Sequence, residues 1–431
     1  MKSSTRWWPT LLGVMLLLAI GAVAVVAVAL QLFSPQTGEW SLTVRLWPLS
    51  SKRQLSVPAL IRVATHPLGM SLLDGRSTAT ALGRWTWRRE GAERLVGVCA
   101  PCRLHLAALG PAPLTVPHAR LELKREAQSR FRGTLFIGEA ERALAFRWRA
   151  TLSASALTID AHLPTVSIAD AYAAFGPTAV PELGAARIGG TFSTSLRLVL
   201  PERRLELAPK LEGFEVTGLR TEALLHAARP SQCEVGASGA SSTARIGGWL
   251  PRAVVAAEDQ RFQEHAGYDL VQMLAAAALN HHPGHGPSGA STLTQQLAKW
   301  LYVGDERSFT RKLRELLYAV EMERTLGKGR ILQLYLAMAP WGEGVCGAEA
   351  AAQHYLRKSS ALLTSLEAAW LASLLRGGIN GERRVDVPRV GWVLASLRGP
   401  LSPERRAEQL QALDGWAPPV ARASRSPAAR R

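Results

Sequence analysis

The sequence predicts an α+β multidomain protein with an N-terminal transmembrane helix, a β-rich middle domain and a mostly α-helical C-terminal domain. Three observations lead to this prediction: an uncharged apolar run near the N-terminus, period-two hydrophobic patterns in the first half, and helical periodicity in the second half. The chain of 431 residues exceeds the usual size of one domain. We expect the segments 1–38, 39–230 and 245–415, followed by a disordered basic tail at 416–431.

The transmembrane prediction rests on the segment 7–38, which contains no charged residue. Its stretch "LLGVMLLLAIGAVAVVAVALQLF" is as long as a bilayer-spanning helix, which needs roughly 20 residues. Lys2 and Arg6 precede it, so the positive-inside tendency keeps the N-terminus in the cytoplasm and exports the rest. A cleaved signal peptide is the alternative, but the run is long for one and lacks a clear small-residue cleavage site.

The formal net charge of +17 indicates an anionic partner. In a cytosolic protein that partner could be a nucleic acid. For an exported chain it would be a lipid headgroup, a pyrophosphate or an acidic wall polymer, so we expect no nucleic-acid function. General solubility in an Arg-rich chain explains part of the excess charge.

Residues 39–230 have the pattern of strands separated by Pro and Gly. Hydrophobic residues alternate at 42–46, 157–163 and 192–200, and "SIADAYAAF" predicts a short helix. The later part weakly resembles the β-rich repeats of AsmA-type envelope proteins. No pair of catalytic side chains is recognisable in this half, so its role stays open.

The four cysteines, Cys99, Cys102, Cys233 and Cys346, allow three pairings. In an oxidising compartment we expect Cys99 to pair with Cys102 and Cys233 to pair with Cys346. "CAPC" also has the form of a redox motif, but it lies between strand-like stretches and not at a helix start.

The stretch "WLPRAVVAAEDQRFQEHAGYD" opens the helical half with Pro251 at the start of a helix. Val254, Glu258 and Phe262 follow at four-residue spacing, which predicts that Glu258 lies on the apolar side. Burial there would raise the pKa of Glu258 toward neutrality and suit a general base or acid. A buried ion pair with Arg252 or Arg261 explains the same spacing equally well.

The stretch "GASTLTQQLAKWL" predicts a second helix that starts with a capping box made by Thr292 and Gln295. The backbone amides at the start of this helix would suit the binding of an anion. Ser291, Gln295 and Lys299 share one face. An ordinary amphipathic helix with a solvated side is the alternative.

The next helix carries Glu315 one turn after Arg311 and Lys312, which should keep its carboxylate ionised. Glu258 and Glu315 would then differ in protonation, as expected when one acts as a base and the other holds charge. Pairing on a helix surface is the alternative explanation for Glu315.

Four segments of this half resemble the family 51 peptidoglycan glycosyltransferases, in the family's order, and are similar to the monofunctional biosynthetic transglycosylases. The segments are "EDQRFQEHAGYD", "GASTLTQQLAK", "RKLRE" and "KGRILQLYLAMAPWGEGVCGAEAAAQHYLRK", and the resemblance covers about residues 245–376. It implies a mostly helical, lysozyme-like domain that polymerises lipid II into glycan strands. It further implies an enzyme of the bacterial inner membrane, single-pass, with a periplasmic catalytic domain.

The resemblance also implies residue roles. Glu258 would take the proton of the acceptor sugar, and Glu315 would be the second acidic residue. Basic residues would hold the pyrophosphate, namely Lys299, Arg307, Arg311 and Lys312. Polar residues would contact substrate, namely Ser291, Thr292, Gln295 and Gln296. Others would support the first motif, namely Asp259, Phe262, His265 and Gly267.

Three positions depart from the family pattern, namely Trp300, Gln333 and Ala337. Trp300 stands where the family usually has Asn, and the other two are expected to support helix packing behind the site. The sequence contains no Ser-x-x-Lys and no Lys-Thr-Gly, so we expect no transpeptidase activity.

No cofactor is required by this reading, although a divalent cation such as Mg²⁺ or Mn²⁺ could bridge Glu315 and pyrophosphate. "HHPGH" at 281–285 is a weaker metal candidate because its Pro and Gly place it in a loop. Expected partners are lipid II, the growing strand, the membrane and other cell-wall synthesis proteins. Two other functions stay open: a non-catalytic envelope protein that binds lipid-linked precursors or scaffolds synthases, and a lysozyme-like hydrolase.

Overall fold

The structure, a computed structural model, describes most of the chain after residue 32. The described residues are 15, 31, 33–46, 51–80, 83–91, 93–104, 114–139, 142–202, 204–226, 248–279, 291–306, 308–342, 344–377, 386–399, 401–413 and 416. The predicted transmembrane segment therefore lies almost entirely outside them. Among the residues that are described, no helix has both the length and the apolar composition needed to cross a bilayer.

The chain divides into two compact units. The first comprises 1–104, 115–176 and 192–211, and the second comprises 105–114, 177–191 and 212–431. The second unit thus includes the segments 177–191 and 212–226, which the sequence analysis placed in the β-rich domain.

The first unit is built around one large sheet. Its strands are β3 (Ser77–Thr80), β4 (Gly83–Glu90), β5 (Arg94–Cys99), β8 (Ala119–Ala127), β9 (Arg130–Ile137), β10 (Leu144–Leu152), β11 (Leu157–Ser167), β12 (Arg187–Leu200) and β13 (Arg204–Thr217). They follow the order β13-β12-β11-β10-β9-β8-β5-β4-β3. Neighbours from β3 to β11 are antiparallel, and every alternating run predicted from the sequence forms a strand.

Shorter hairpins complete the strand inventory. They are β1 (Ser41–Leu46) with β2 (Ser51–Ser56), β6 (Cys102–Leu104) with β7 (Leu114–Val116), and β14 (Pro340–Gly342) with β15 (Val345–Cys346). Cys99 and Cys102 are joined by a disulfide between β5 and β6. Cys346 is disulfide-bonded as well, whereas Cys233 lies outside the described residues, so its pairing stays a prediction.

One face of the sheet is apolar and packed. Phe131, Ala150 and Leu152 form its buried centre, and Trp148 and Ile61 pack against them. Ile61 belongs to α1 (Val57–Ala64), which is followed by α2 (Pro67–Leu73); the sequence analysis did not foresee either helix. The predicted short helix is confirmed as α3 (Ile168–Ala173).

The second unit is mainly helical. Its helices are α4 (Leu250–Glu258), α5 (Leu270–Leu279), α6 (Leu293–Ala298), α7 (Phe309–Met338), α8 (Ala348–Leu356), α9 (Ser365–Ser373), α10 (Val387–Ser396) and α11 (Pro403–Ala412). One hydrophobic core joins α4 and the helices from α6 to α10, and its largest fully buried side chains include Trp370, Tyr335 and Phe262. Trp416, the first residue of the predicted tail at 416–431, contacts Trp370 with ring centroids 5.5 Å apart. The rest of that tail lies outside the described residues.

Helix α7 is the central support of this unit. It bends at Gly327, whose φ of 70° and ψ of 164° are not helical. Buried Glu321 accepts hydrogen bonds from the amides of Leu219 and Thr221, at 2.9 and 3.2 Å. Arg314 donates to both carboxylate oxygens of buried Glu182. These contacts explain why segments 177–191 and 212–226 belong to the helical unit.

Gly267 packs closely against the backbone of α7, and a substitution there tests this contact. Its φ of +89° is unfavourable for other residues, and a Cβ there would lie 2.7 Å from the Ala319 carbonyl oxygen. We expect Gly267→Ala to lower the free energy of unfolding by about 1–3 kcal/mol, measured by thermal denaturation of the full chain. Gly329→Ala is the control, because Gly329 lies in α7 with open space around it and should be neutral or slightly stabilising. Equal effects of the two changes would contradict this account.

Candidate active site

Glu258 is the last residue of α4. The helix buries Leu250, Val254 and three alanines, and it ends because the backbone angles of Asp259, φ of −156° and ψ of 74°, are not helical. The sequence implied a helical stripe that continued to Phe262, and this is wrong: Phe262 is fully buried, but from the turn after the helix. Glu258 is therefore presented from a helix end, with only 11 % of its side chain exposed.

Two side chains from distant segments contact the Glu258 carboxylate. Gln296 of α6 donates from Nε2 to Oε2 at 3.2 Å, and Nη2 of Arg389 on α10 lies 3.6 Å from Oε1. Neither arginine considered from the sequence is the partner seen here. Arg261 pairs with Glu264 and Asp269, while Arg252 lies over the Trp249 ring.

The orientation of the Gln296 amide is fixed from behind. The Tyr335 hydroxyl donates to Gln296 Oε1 at 3.0 Å, which leaves the amide nitrogen to donate to Glu258. Burial raises the pKa of Tyr335 well above its ordinary value, and the nearby carboxylates of Glu258 and Asp259 add to this. Tyr335 is therefore a protonated donor throughout the neutral range.

Asp259, the next residue, connects α4 to α6. Its Oδ2 accepts the Leu293 amide at 3.0 Å, and His265 Nε2 lies 2.9 Å from the same oxygen. His265 Nδ1 accepts the Gly267 amide, so Nε2 carries the proton that Asp259 accepts. The buried carboxylate thus accepts the first amide of α6, at the helix end where the sequence analysis expected a bound anion.

Thr292 and Gln295 form the predicted capping box of α6. The Gln295 amide donates to Thr292 Oγ1 at 3.1 Å, and the Thr292 amide donates to Gln295 Oε1 at 3.0 Å. Thr292 also donates its hydroxyl to the Gly267 carbonyl. Both residues are buried and hold the helix start, and their contact with substrate stays a prediction.

A compact network stabilises the loop after α4. Lys328 Nζ donates to the His265 carbonyl at 2.6 Å and to Glu323 Oε1 at 2.8 Å, and it lies 4.4 Å from the Phe262 ring centroid. Glu323 also accepts the hydroxyl of Thr294 on α6. The residues predicted to support the first motif therefore lie in one connected layer beneath α6.

Glu315 organises a group of cations on α7. It is fully buried, and its two oxygens contact Arg311 Nη1 and Lys312 Nζ. Lys312 also donates to Ser291, just before α6. Burial lowers the pKa of Lys312, with Glu315 partly counteracting it and the charges of Arg311 and Lys299 adding to the effect. Two predicted cations and Ser291 are thus brought together around one carboxylate.

Lys299 is the third cation near this group. It lies at the start of a π-helical turn (Lys299–Val303) that follows α6, and its Nζ is 2.8 Å from Oδ1 of exposed Asp305. This contact lowers the pKa of Asp305. Arg307 lies outside the described residues, so its proposed role stays a prediction.

The site does not fit a divalent cation. Both Glu315 oxygens are bound to cationic side chains, and no group of three metal-ligating side chains occurs among the described residues. Positive groups in these positions would repel a metal ion. The "HHPGH" segment lies outside the described residues.

The three departures from the family pattern have different surroundings. Trp300 packs against Tyr335 with ring centroids 5.0 Å apart, so it supports the tyrosine that orients Gln296. Gln333 and Ala337 are exposed on α7, and the expectation that they support packing behind the site is wrong. Gln333 and Ala337 are four residues apart and share one side of the helix, whereas buried Leu334 and Tyr335 lie on another. The helical period could therefore have indicated this exposure.

Sequence reasoning missed several residues of the site. Arg389 lies beyond the motifs and is 131 residues from Glu258, so no local pattern indicates the contact. Tyr335 and Lys328 lie within a quoted motif, but their roles depend on which residues they face. The role of Glu323 also depends on which residues it faces, because its contact with Lys328 spans five residues, a spacing that does not place two side chains on one helix face.

Comparisons with known proteins place this region in context. Residues 234–388 match the family model described as "Transglycosylase", which confirms the resemblance inferred from the motifs. A biosynthetic peptidoglycan transglycosylase of Alcanivorax borkumensis is 47% identical over 131 residues, which are 30% of this chain and 54% of that protein. A protein of the same description from Shewanella frigidimarina is 49% identical over 126 residues, 29% of this chain and 55% of that protein. The chain thus spans about half the length of the curated relatives it matches.

The buried link through Asp259 predicts a large effect of one amide substitution. Asp259 accepts hydrogen bonds from both the Leu293 amide and the His265 ring. An asparagine side chain at this position has one NH₂ group, which cannot accept, and an amide oxygen, which is a weaker acceptor than a carboxylate. At least one of the two donors therefore loses its partner or keeps a weaker one in Asp259→Asn. We expect the free energy of unfolding to fall by about 1–3 kcal/mol in chemical denaturation of the full chain. Asp305→Asn changes the same groups at a side chain that is 88 % exposed and should have little effect. An unchanged free energy of unfolding in Asp259→Asn would show that the contacts of Asp259 with α6 and His265 contribute little to stability.

Proposed function

We propose that the Transglycosylase-family region at residues 234–388 makes this chain a peptidoglycan glycosyltransferase, which polymerises lipid II into glycan strands and releases polyprenyl pyrophosphate. The observation that carries the proposal is the convergence on the short segment 291–296. Gln296 at its end contacts Glu258, and Ser291 at its start contacts Lys312 of the Glu315 group. A carboxylate and a set of cations therefore border the two ends of the same mostly buried segment.

Glu258 is the proposed general base. The 4-hydroxyl of the acceptor sugar attacks the anomeric carbon of the strand that is linked to lipid pyrophosphate, and Glu258 accepts the hydroxyl proton. The bond from the anomeric carbon to pyrophosphate breaks, and the configuration inverts. Gln296 and Arg389 hold the carboxylate in one orientation, as a positioned base requires.

Lys299, Arg311 and Lys312 are the proposed pyrophosphate ligands. Charge builds up on the leaving group as its bond breaks, and cations held in place stabilise that charge without reorganising. Glu315 would act indirectly, since its buried oxygens hold Arg311 and Lys312. Arg307 completes the proposed set.

The remaining proposals concern location. We propose that the segment 7–38 anchors the chain in the bacterial inner membrane, with the N-terminus inside and the catalytic region in the periplasm. The uncharged run supports the anchor, and a lipid-linked substrate requires a position at the membrane surface. Contacts with other cell-wall synthesis proteins are part of the same proposal.

Removal of the base tests the proposed reaction. Glu258→Gln keeps the shape of the side chain and the contact with Gln296 but cannot accept a proton. We expect polymerisation of purified lipid II to fall by about 10²- to 10⁴-fold, measured by gel analysis of labelled glycan products.

The outcomes separate the competing functions. A wild-type protein that makes no polymer under conditions where a known polymerase works would refute the proposal. Equal rescue of a mutant phenotype by wild type and Glu258→Gln would favour a non-catalytic precursor-binding or scaffold protein. Soluble muropeptides released from purified sacculi would indicate a hydrolase.

Arg389 should tune the base from outside the family motifs. Its positive charge favours the ionised form of the neighbouring carboxylate. In Arg389→Met we therefore expect kcat to fall and the acid limb of the pH–rate profile to move to higher pH, while Arg389→Lys restores much of both. Arg405→Met removes an equal charge from an exposed position on α11 and should leave the profile unchanged. An acid limb that stays in place in Arg389→Met would show a purely structural role.

A further inference from the structure

The polar face of the large sheet forms a groove in the first unit. Its volume is about 930 Å³, and side chains from β5 and from β8 to β13 line it. Six of them are cationic, namely Arg94, Lys124, Arg132, Arg147, Arg149 and Arg197, and three are acidic, namely Glu122, Asp160 and Glu206. The opposite face is the apolar one that packs Phe131, Ala150 and Leu152. The groove therefore lies on the side of the sheet that the core does not use.

Four of the cations face one another across four neighbouring strands. Arg94 is directly opposite Lys124, Lys124 is opposite Arg132, and Arg132 is opposite Arg149. Adjacent strands are about 4.8 Å apart, so this cation row extends over about 14 Å. Like charges directly opposite each other destabilise a sheet. Stability alone therefore does not account for three such pairs in succession.

The acidic neighbours neutralise the cation row incompletely. Glu90, Glu93 and Glu126 contact Arg94, Lys124 and Arg132 through exposed ion pairs. Exposed pairs of this kind contribute little and are screened by salt.

The centre of the groove is the least neutralised part. Asp160 lies opposite Arg149, but its Oδ1 accepts Nε of Arg197 at 2.8 Å. Within the part of the chain that the structure describes, Arg147 and Arg149 form no ion pair, and both are exposed. The cation row thus ends at exposed Arg149, with exposed Arg147 beside it, and a basic surface of this kind attracts anions.

We propose that this groove binds an extended anionic polymer, specifically an uncross-linked glycan strand whose peptide branches carry carboxylates. The identity of the strand rests on the proposed function, because such a strand would be the product of that reaction. Guanidinium groups match carboxylates in geometry as well as charge. A row of four cations fits successive anionic groups better than a single small anion.

The acidic side chains favour this polymer over other polyanions. Glu122 and Asp160 lie beside the cations and can accept hydrogen bonds from hydroxyl or ammonium groups. A glycan strand with peptide branches offers both kinds of donor. Polyphosphate offers neither at neutral pH, and a flat bilayer surface matches a groove poorly.

The test measures binding of the full-length protein in detergent to labelled, preformed glycan strands by fluorescence anisotropy. The double variant Arg132→Gln/Arg149→Gln should bind about tenfold more weakly or worse, and wild-type binding should weaken as salt is raised. Arg84→Gln/Arg88→Gln is the matched control, because it removes two exposed arginines of β4 outside the groove. Equal loss in both variants would overturn the proposal.

Further measurements distinguish the alternatives. The groove variant should unfold at the same temperature as wild type or higher, since it removes facing like charges; a lower midpoint would attribute lost binding to misfolding and overturn the proposal. Polyphosphate or phosphatidylglycerol vesicles that bind as tightly as strands, with the same loss in the variant, would also overturn it. Glu258→Gln should bind strands normally, so failure of the polymerase assay and failure of this proposal are separate results.

Discussion

The buried carboxylate of Asp259 is the constraint on which the geometry of the helical unit depends. A charge with 1 % exposure is costly unless it is fully paired, and Asp259 meets this requirement with an α6 amide and the His265 ring. The positive end of the α6 backbone favours the negative charge. Because Asp259 follows Glu258 directly, this pairing fixes how far the proposed base lies from α6. Gln296 can then reach Glu258 from the same helix. The position of the proposed base is thus set by the contacts of its neighbour in the chain.

Helix α7 also positions other segments through paired carboxylates, three of which face different parts of the chain. Glu315 holds two cations, Glu321 binds backbone amides of 219–221, and Glu323 connects Thr294 with Lys328. An uncompensated buried charge is strongly destabilising, so each segment has one arrangement that satisfies its carboxylate. The bend at Gly327 lets Lys328 turn back toward His265. The helix therefore fixes both the proposed pyrophosphate ligands and the loop behind the proposed base.

The sequence predicted the features that depend on nearby residues. The alternating runs became strands, the Thr292 and Gln295 spacing became a capping box, and Glu315 pairs with residues three and four positions before it. It did not predict contacts between distant residues, such as Arg389 with Glu258 or Asp259 with the Leu293 amide. Nor could it show that α4 ends at Glu258, since the hydrophobic spacing continues into a turn that buries Phe262 by tertiary packing. The family resemblance thus indicated Glu258 as the proposed base, whereas its partners come from the fold.

The positive charge of the chain is used in two physically different ways. Arg311 and Lys312 are held by a fully buried carboxylate, so their positions are set before any ligand arrives. The ion pairs of the sheet cations Lys124 and Arg132 are exposed, which leaves these cations free to exchange one anion for another. Salt screens exposed charges much more than buried ones. Fixed cations suit the stabilisation of charge that develops in a reaction, whereas exchangeable ones suit a long polymer that must slide and be released.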